Sequence, residues 1–265
     1  MKALLAGITM TFLSVCTAYT MTGGNGLKEE FHKSYPLASK GTISLQNVNG
    51  DVEIKVWDKN EVKVDAVKYA DDQEDMDQLK IEVDATQNSV DIDTQYPDED
   101  HSHGHHGSVS VDYILTVPKD AELDEIKTVN GSVEISGSEG SVRASSVNGS
   151  VEASGLKASC ELKSVNGKVS AEFVSLPSDA RARLGSVNGT VTIKIPADAN
   201  ASVKASTQSG HVSNDFGLTS YEKHHDDWGV RIGDSIKGDI GKGGADVDLN
   251  SVNGSVRILK NEGSN

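Results

Sequence analysis

Val129-Asn130-Gly131-Ser132-Val133-Glu134-Ile135 returns 18 residues later as Val147-Asn148-Gly149-Ser150-Val151-Glu152-Ala153. It returns again as Val165-Asn166-Gly167-Lys168-Val169-Ser170-Ala171, and after a step of 22 residues as Val187-Asn188-Gly189-Thr190-Val191-Thr192-Ile193. Two outlying copies of Val-Asn-Gly stand at 48–50 and 252–254. Self-similarity at a near-constant period marks a repeat architecture. Each Val-Asn-Gly leads into alternating polar and apolar residues, the signature of a half-buried strand. The looser turns Gly137–Gly140, Ser154–Leu156 and Leu176–Asp179 lie between the copies. Each unit therefore holds two strands and two turns.

Two arrangements fit this pattern. In a β-solenoid, successive coils stack with strands ~4.8 Å apart. Equivalent corners then lie above one another, and Asn130, Asn148, Asn166, Asn188 and Asn253 form a ladder of side-chain amides. Asn and Gly suit such a corner because they tolerate left-handed backbone. Val133, Val151, Val169 and Val191 become one inward column, and the four extra residues before Asn188 bulge at the opposite corner. In an antiparallel meander, Asn-Gly is instead a hairpin turn, and Arg143 falls between Glu134 and Glu152. The solenoid stacks Glu134 on Glu152. That like-charge contact costs a few tenths of a kcal/mol at the surface, against ~1.5–3 kcal/mol for each buried valine.

Working outward, Gly41–Val48, Val52–Val56 and Glu61–Val67 alternate in the same way. Asp71 to Leu79 does not: it opens on acidic residues, spaces Met76 and Leu79 three apart and lacks β-branched side chains, so one short helix is expected there. Strands resume at 80–83, 90–94 and 109–117. The chain divides into a signal segment (1–18), a polar tether (19–37), an N-terminal β region (38–120), the repeat solenoid (121–260) and a tail (261–265).

Ala3 to Val15 is an apolar run behind Lys2, too short for a spanning helix of ~20 residues and suited to a signal peptide. Cleavage after Ala18 leaves a soluble exported chain. The alternative is a lipoprotein signal with Cys16 lipidated, the sole route proposed to a membrane. The formal charge of −15 becomes −16 once Lys2 is lost. Such a chain repels phosphate backbones, which argues against nucleic acid. Cys160 is then the one remaining cysteine, read as a small buried apolar residue. Only 5% of residues are aromatic and Gly numbers 26, which suits thin repetitive β layers.

The Asn-Gly-Asp/Ser-Val repeats, the strand Val109–Pro118 and the closing run Ile240-Gly-Lys-Gly-Gly-Ala-Asp-Val-Asp-Leu-Asn-Ser-Val-Asn-Gly-Ser-Val-Arg-Ile258 carry a resemblance. The chain resembles the bacterial putative-adhesin family across roughly 38–260. That resemblance implies an exported, all-β, single-stranded β-solenoid of β-helix type. It supplies no catalytic residues.

Asp98-Glu-Asp-His101-Ser-His103-Gly-His105-His106 is the conspicuous polar cluster. Neutral imidazoles at His101, His103, His105 and His106 suit Zn²⁺, Ni²⁺ or Cu²⁺, and the plain alternative is a solvated loop. His224-His225-Asp226-Asp227 is a second such stretch. No nucleophile elbow, phosphate loop or dinucleotide fingerprint occurs. The expectation is a non-catalytic envelope scaffold presenting its β surface to a protein or glycan. The alternative is a periplasmic divalent-metal-binding or sensing protein using 101–106.

Overall fold

The computed structural model describes residues 26–97, 108–219 and 233–261. In chain order the first strands are β1 (Leu27–Pro36), β2 (Thr42–Gln46), β3 (Val52–Trp57) and β4 (Glu61–Ala70). Helix α1 (Gln73–Gln78) follows, then β5 (Lys80–Ala85), β6 (Ser89–Gln95) and β7 (Ser110–Pro118). The repeats form β8 (Glu122–Asn130), β9 (Val133–Ser136), β10 (Val142–Asn148), β11 (Val151–Leu156), β12 (Cys160–Asn166), β13 (Val169–Phe173), β14 (Arg181–Asn188) and β15 (Val191–Pro196). Closing the chain are β16 (Ala201–Ser209), β17 (Val212–Asn214), β18 (Asp234–Ile240), β19 (Ala245–Asn253) and β20 (Val256–Asn261).

These strands build two facing ten-stranded sheets. Sheet I runs β1-β4-β7-β3-β9-β11-β13-β15-β20-β17, and sheet II runs β18-β16-β19-β14-β12-β10-β8-β2-β6-β5. The chain passes through a strand of sheet II, turns at Val-Asn-Gly, and crosses into a strand of sheet I. The turn at the far corner returns it to sheet II. Consecutive coils pair in parallel, residue on equivalent residue: Val142 on Cys160, Asn148 on Asn166, Val151 on Val169. The fold is the expected all-β solenoid, with its short helix where the pattern breaks. The extra residues before Asn188 lie in the far-corner turn at 174–180.

One apolar core fills the space between the sheets. Val133, Val151, Val169, Val191 and Val256 form an inward column, each 0% exposed. Ile126, Ala144, Leu162, Leu184 and Leu249 face them from sheet II. Small and β-branched side chains recur at each level because identical coils leave identical space. Glu134 does stack on Glu152, and on Glu53 beyond it. Lys168 compensates at 2.9 Å from Glu152 and Lys55 at 2.7 Å from Glu53.

Two features differ from the expectations. The coils do not follow chain order at either end. In space they run β6–β7, β2–β3, β8–β9, β10–β11, β12–β13, β14–β15, β19–β20, β16–β17. The last coil of the chain thus fills a slot between two earlier ones. Residues 27–36, expected within a tether, form β1 and pair antiparallel with the whole of β4. Phe31 and Tyr35 on β1 pack against the core; its other side chains are mostly charged, as suits an edge strand, and they mask the alternation. At the same end Asp72 caps α1 by accepting from the Asp75 N–H at 2.9 Å, and Met76 and Leu79 are buried.

Candidate functional site

The Val-Asn-Gly corner has a separate task for each residue. The asparagine side chains form a continuous ladder. Asn130 Nδ2 donates to Asn49 Oδ1, Asn148 to Asn130, Asn166 to Asn148 and Asn188 to Asn166, all at 2.8 Å. Asn253 donates to Asn188 at 2.9 Å. Tyr96 closes one end: its hydroxyl accepts from the Asn49 N–H at 2.9 Å and lies 2.8 Å from Asn47 Oδ1.

The glycines are required by proximity. A Cβ on Gly149 would lie 1.9 Å from the carbonyl oxygen of Gly131, and one on Gly189 would lie 1.9 Å from that of Gly167. Positive φ is confined to Gly50 among the six Val-Asn-Gly glycines, and none of their asparagines has it. The expectation of left-handed corners is corrected accordingly: stacked coils bring glycine onto glycine, and a side chain would force them apart.

The residue before five of the six motifs holds this close approach. Ser146 Oγ donates to the carbonyl of Gly131 at 2.7 Å, Ser164 to Gly149 at 2.8 Å and Ser186 to Gly167 at 2.9 Å. Thr128 and Ser251 do the same for Gly50 and Gly189. These hydroxyls are buried, so each carbonyl that points inward finds a donor. The working unit is therefore Ser/Thr-Val-Asn-Gly.

The valine of the motif points out of sheet II. Val48, Val129, Val147, Val165 and Val187 are 36–40% exposed, and they are most of the large exposed hydrophobics among the described residues. With Val252 they form a row across six adjacent strands, about 24 Å long at the ~4.8 Å strand spacing. The row floors a shallow groove of about 770 Å³. Gln46, Lys127, Ser145, Lys163, Gly185 and Asn250 line its side. Gly185 meets no other atom at its missing Cβ, so the wall is lowest there.

Beyond that wall lies a row of charge. Its members in strand order are Asp84, Asp91, Ser44, Asp124, Arg143, Glu161, Arg183, Asp248, Lys204 and Lys237, with Asp124 and Glu125 together forming a bulge of β8 opposite Ser44 and Arg143. Arg143 reaches Asp124 at 2.6 Å and Glu161 at 3.8 Å. The Lys163 ammonium, with Arg143 and Arg183, holds the Glu161 carboxyl below the usual carboxylate range. Cys160 is buried beneath this row, and burial pushes its thiol up to about 12, with Glu161 adding to the effect. At neutral pH it is a protonated core side chain.

Of the residues singled out in the sequence, the five ladder asparagines lie together. Cys16, His101, His103, His105 and His106 fall outside the described residues, as do His224–Trp228. Among the described residues no group of three or more His, Cys, Asp or Glu is placed to hold a metal ion. No helix among them is long and apolar enough to cross a membrane. The outward valines and the buried serines escape a reading by alternation alone. A signal for both exists: Ser146-Val147 breaks the alternation of Val142 and Ala144 by placing an apolar residue out of phase.

No curated protein matches the chain. A crystal structure described as a "putative cell adhesion protein" from Clostridium sporogenes is similar, with TM-score 0.51 and 12% identity over 88% of this chain and 100% of that one. A second, described as a "putative adhesin" from Bacteroides fragilis, has TM-score 0.34 and 10% identity over 87% of this chain and 97% of that one. At such identities the likeness is one of fold, and only the first reaches a level that carries it. Residues 33–259 match the family model described as Toastrack DUF4097. The chain is a member of the Toastrack DUF4097 family.

Proposed function

We propose that this protein is a non-catalytic, adhesin-like interaction module of the bacterial cell envelope, and that it docks through the valine groove of sheet II. The observation that carries the reading is the in-register row of six outward valines on an otherwise polar surface. An apolar row that no element among the described residues covers marks an interaction site. Beside it Asp124, Arg143 and Glu161 are joined in a ladder of charge, an arrangement suited to recognition. The description of the similar Clostridium structure agrees with this reading, as does the export signal expected at 1–18. A protein surface is the favoured partner over a glycan, because among the described residues the groove offers aliphatic side chains and no aromatic platform.

The test is saturable binding of the fluorescently labelled chain to intact cells of the bacterium that makes it. The variant Val147→Glu/Val165→Glu is expected to keep its β-sheet circular dichroism and lose at least tenfold in binding. Unchanged binding by that variant would remove the groove from the function. Divalent-metal binding by His101, His103, His105 and His106 is a separate proposal resting on sequence. Zn²⁺ calorimetry on the full chain beside the fourfold alanine variant decides it, and equal binding by both would end it.

A further inference from the structure

We infer that the partner of the sheet II groove is a second copy of this chain, packed face to face about a two-fold axis parallel to the strands. The inference rests on the docking reading above and adds the identity of the partner. Spacing is the first argument. The valines repeat at the strand separation of ~4.8 Å, and another coil of the same kind repeats identically. A helix offers one apolar contact per turn of 5.4 Å, and an extended segment one per two residues at ~6.8 Å. Each slips out of step along six strands.

Charge is the second argument, and it fixes the orientation. The axis passes between β10 and β12, the centre of sheet II's ten strands. Rotation about it lays each strand on its counterpart from the other end. In the valine row, Val147 meets Val165 of the second copy, Val129 meets Val187 and Val48 meets Val252. In the outermost row, Arg143 meets Glu161, Asp124 meets Arg183, Asp91 meets Lys204 and Asp84 meets Lys237, while Ser44 meets Asp248. Four of those five pairings join opposite charges, and none joins like charges. In the row between, Lys127 meets Gly185, Lys163 meets Ser145, Asp93 meets Ser206, Glu82 meets Ser235 and Gln46 meets Asn250. Each lysine thus falls opposite glycine or serine. A surface that is its own complement under reversal is what a two-fold contact demands. Opposed charges across it also set register and suppress wrong pairings.

Ten strands by the width of these rows is on the order of 700 Å² per copy, near the ~800 Å² of a standard interface. Two flat sheets pack in this way at ~10 Å.

Sedimentation velocity of the full chain, from low to high micromolar, tests the inference. A concentration-dependent shift from one to two copies is expected. Arg143→Glu alone turns both symmetry-related contacts with Glu161 into carboxylate against carboxylate. Glu161→Arg alone turns both contacts with Arg143 into guanidinium against guanidinium. Each is expected to weaken self-association at least tenfold. In an equimolar mixture of the two, every contact of the mixed dimer at these positions joins opposite charges: the Arg143→Glu copy offers two carboxylates and the Glu161→Arg copy two guanidinium groups. Attraction is therefore restored at both contacts, and the mixture is expected to dimerise as the parent does. Rescue by mixing separates this contact from misfolding. Parent-like dimers from either variant alone, or no rescue on mixing, would overturn the inference. A parent chain that stays single throughout would also overturn it. The docking reading then stands if the labelled chain still binds cells through Val147 and Val165, and both fall if it does not.

Discussion

Asn253 donates its side-chain amide to Asn188 at 2.9 Å across 65 residues of chain. The rung between them in the sequence, β16–β17, lies one place further out. The chain passes over a slot, turns back through β18 and fills the slot last. Ala245, Val247, Leu249, Ser251, Val256 and Ile258 are each 0% exposed there, because they have a coil on both sides.

Removing 245–265 should therefore destabilise the interior of the stack. Four of the buried side chains lost, Val247, Leu249, Val256 and Ile258, contribute roughly 6–12 kcal/mol together, against a usual total of about 5–15 kcal/mol. The expected outcome is loss of cooperative unfolding in urea. Hydrogen exchange should rise in β14 and β15 along with β16 and β17.

The asparagine ladder predicts a local cost. Asn148→Ala removes one donated and one accepted hydrogen bond, to Asn130 and from Asn166. At ~0.5–1.5 kcal/mol each, and with water available to replace them, a loss of about 1–2 kcal/mol is expected. Urea midpoints of the parent and variant measure it, with an unchanged m-value.

Two glycines should respond in opposite ways. Gly149→Ala drives a Cβ to 1.9 Å from a backbone oxygen, and neither backbone can yield without separating two coils. A cost of about 3 kcal/mol or more is expected. Gly185→Ala enters open space and trims unfolded-chain freedom, so a gain of about 0.5–1 kcal/mol is expected. Thermal denaturation of both separates close approach from mere flexibility.

The edge strand β1 should loosen as pH rises. Asp65, 2.7 Å from His32, and then Glu30 raise the imidazole pKa above its ordinary value. The folded pKa exceeds the unfolded value of ~6.5. The ion-pair contribution is complete below that pH and disappears as pH climbs through the raised value. Because His32 is largely exposed, up to about 0.5 kcal/mol is expected. The difference in thermal midpoint between the parent and His32→Ala should shrink from acid to mildly alkaline pH. A constant difference would place no titration at this contact.

What is legible in the sequence is what repeats. Val133, Val151, Val169 and Val191 sit at matching places in matching words, and parallel stacking follows from burying them together. The direction in which Val147 points is hidden because apolar residues are expected inside, and the burial of Ser146 is hidden because serine is expected outside. Hydrogen bonding reverses both: the Gly131 carbonyl takes its donor from Ser146, which draws that serine in and turns Val147 out. The order of the end coils leaves no trace, since Val48 and Val252 begin words that fit any slot in the stack. Residues 27–36 keep their strand hidden under the charges that guard an open edge.

The alternation along Asp124, Arg143, Glu161 and Arg183 has an arithmetic side. A row that alternates in sign is its own opposite when reversed only if it has an even number of members. One more 18-residue unit in the middle would lengthen the groove by a strand and leave both ends intact. It would also move the centre of symmetry onto a residue, which would then confront its own copy. Parity, more than length, would decide whether such a relative still met itself.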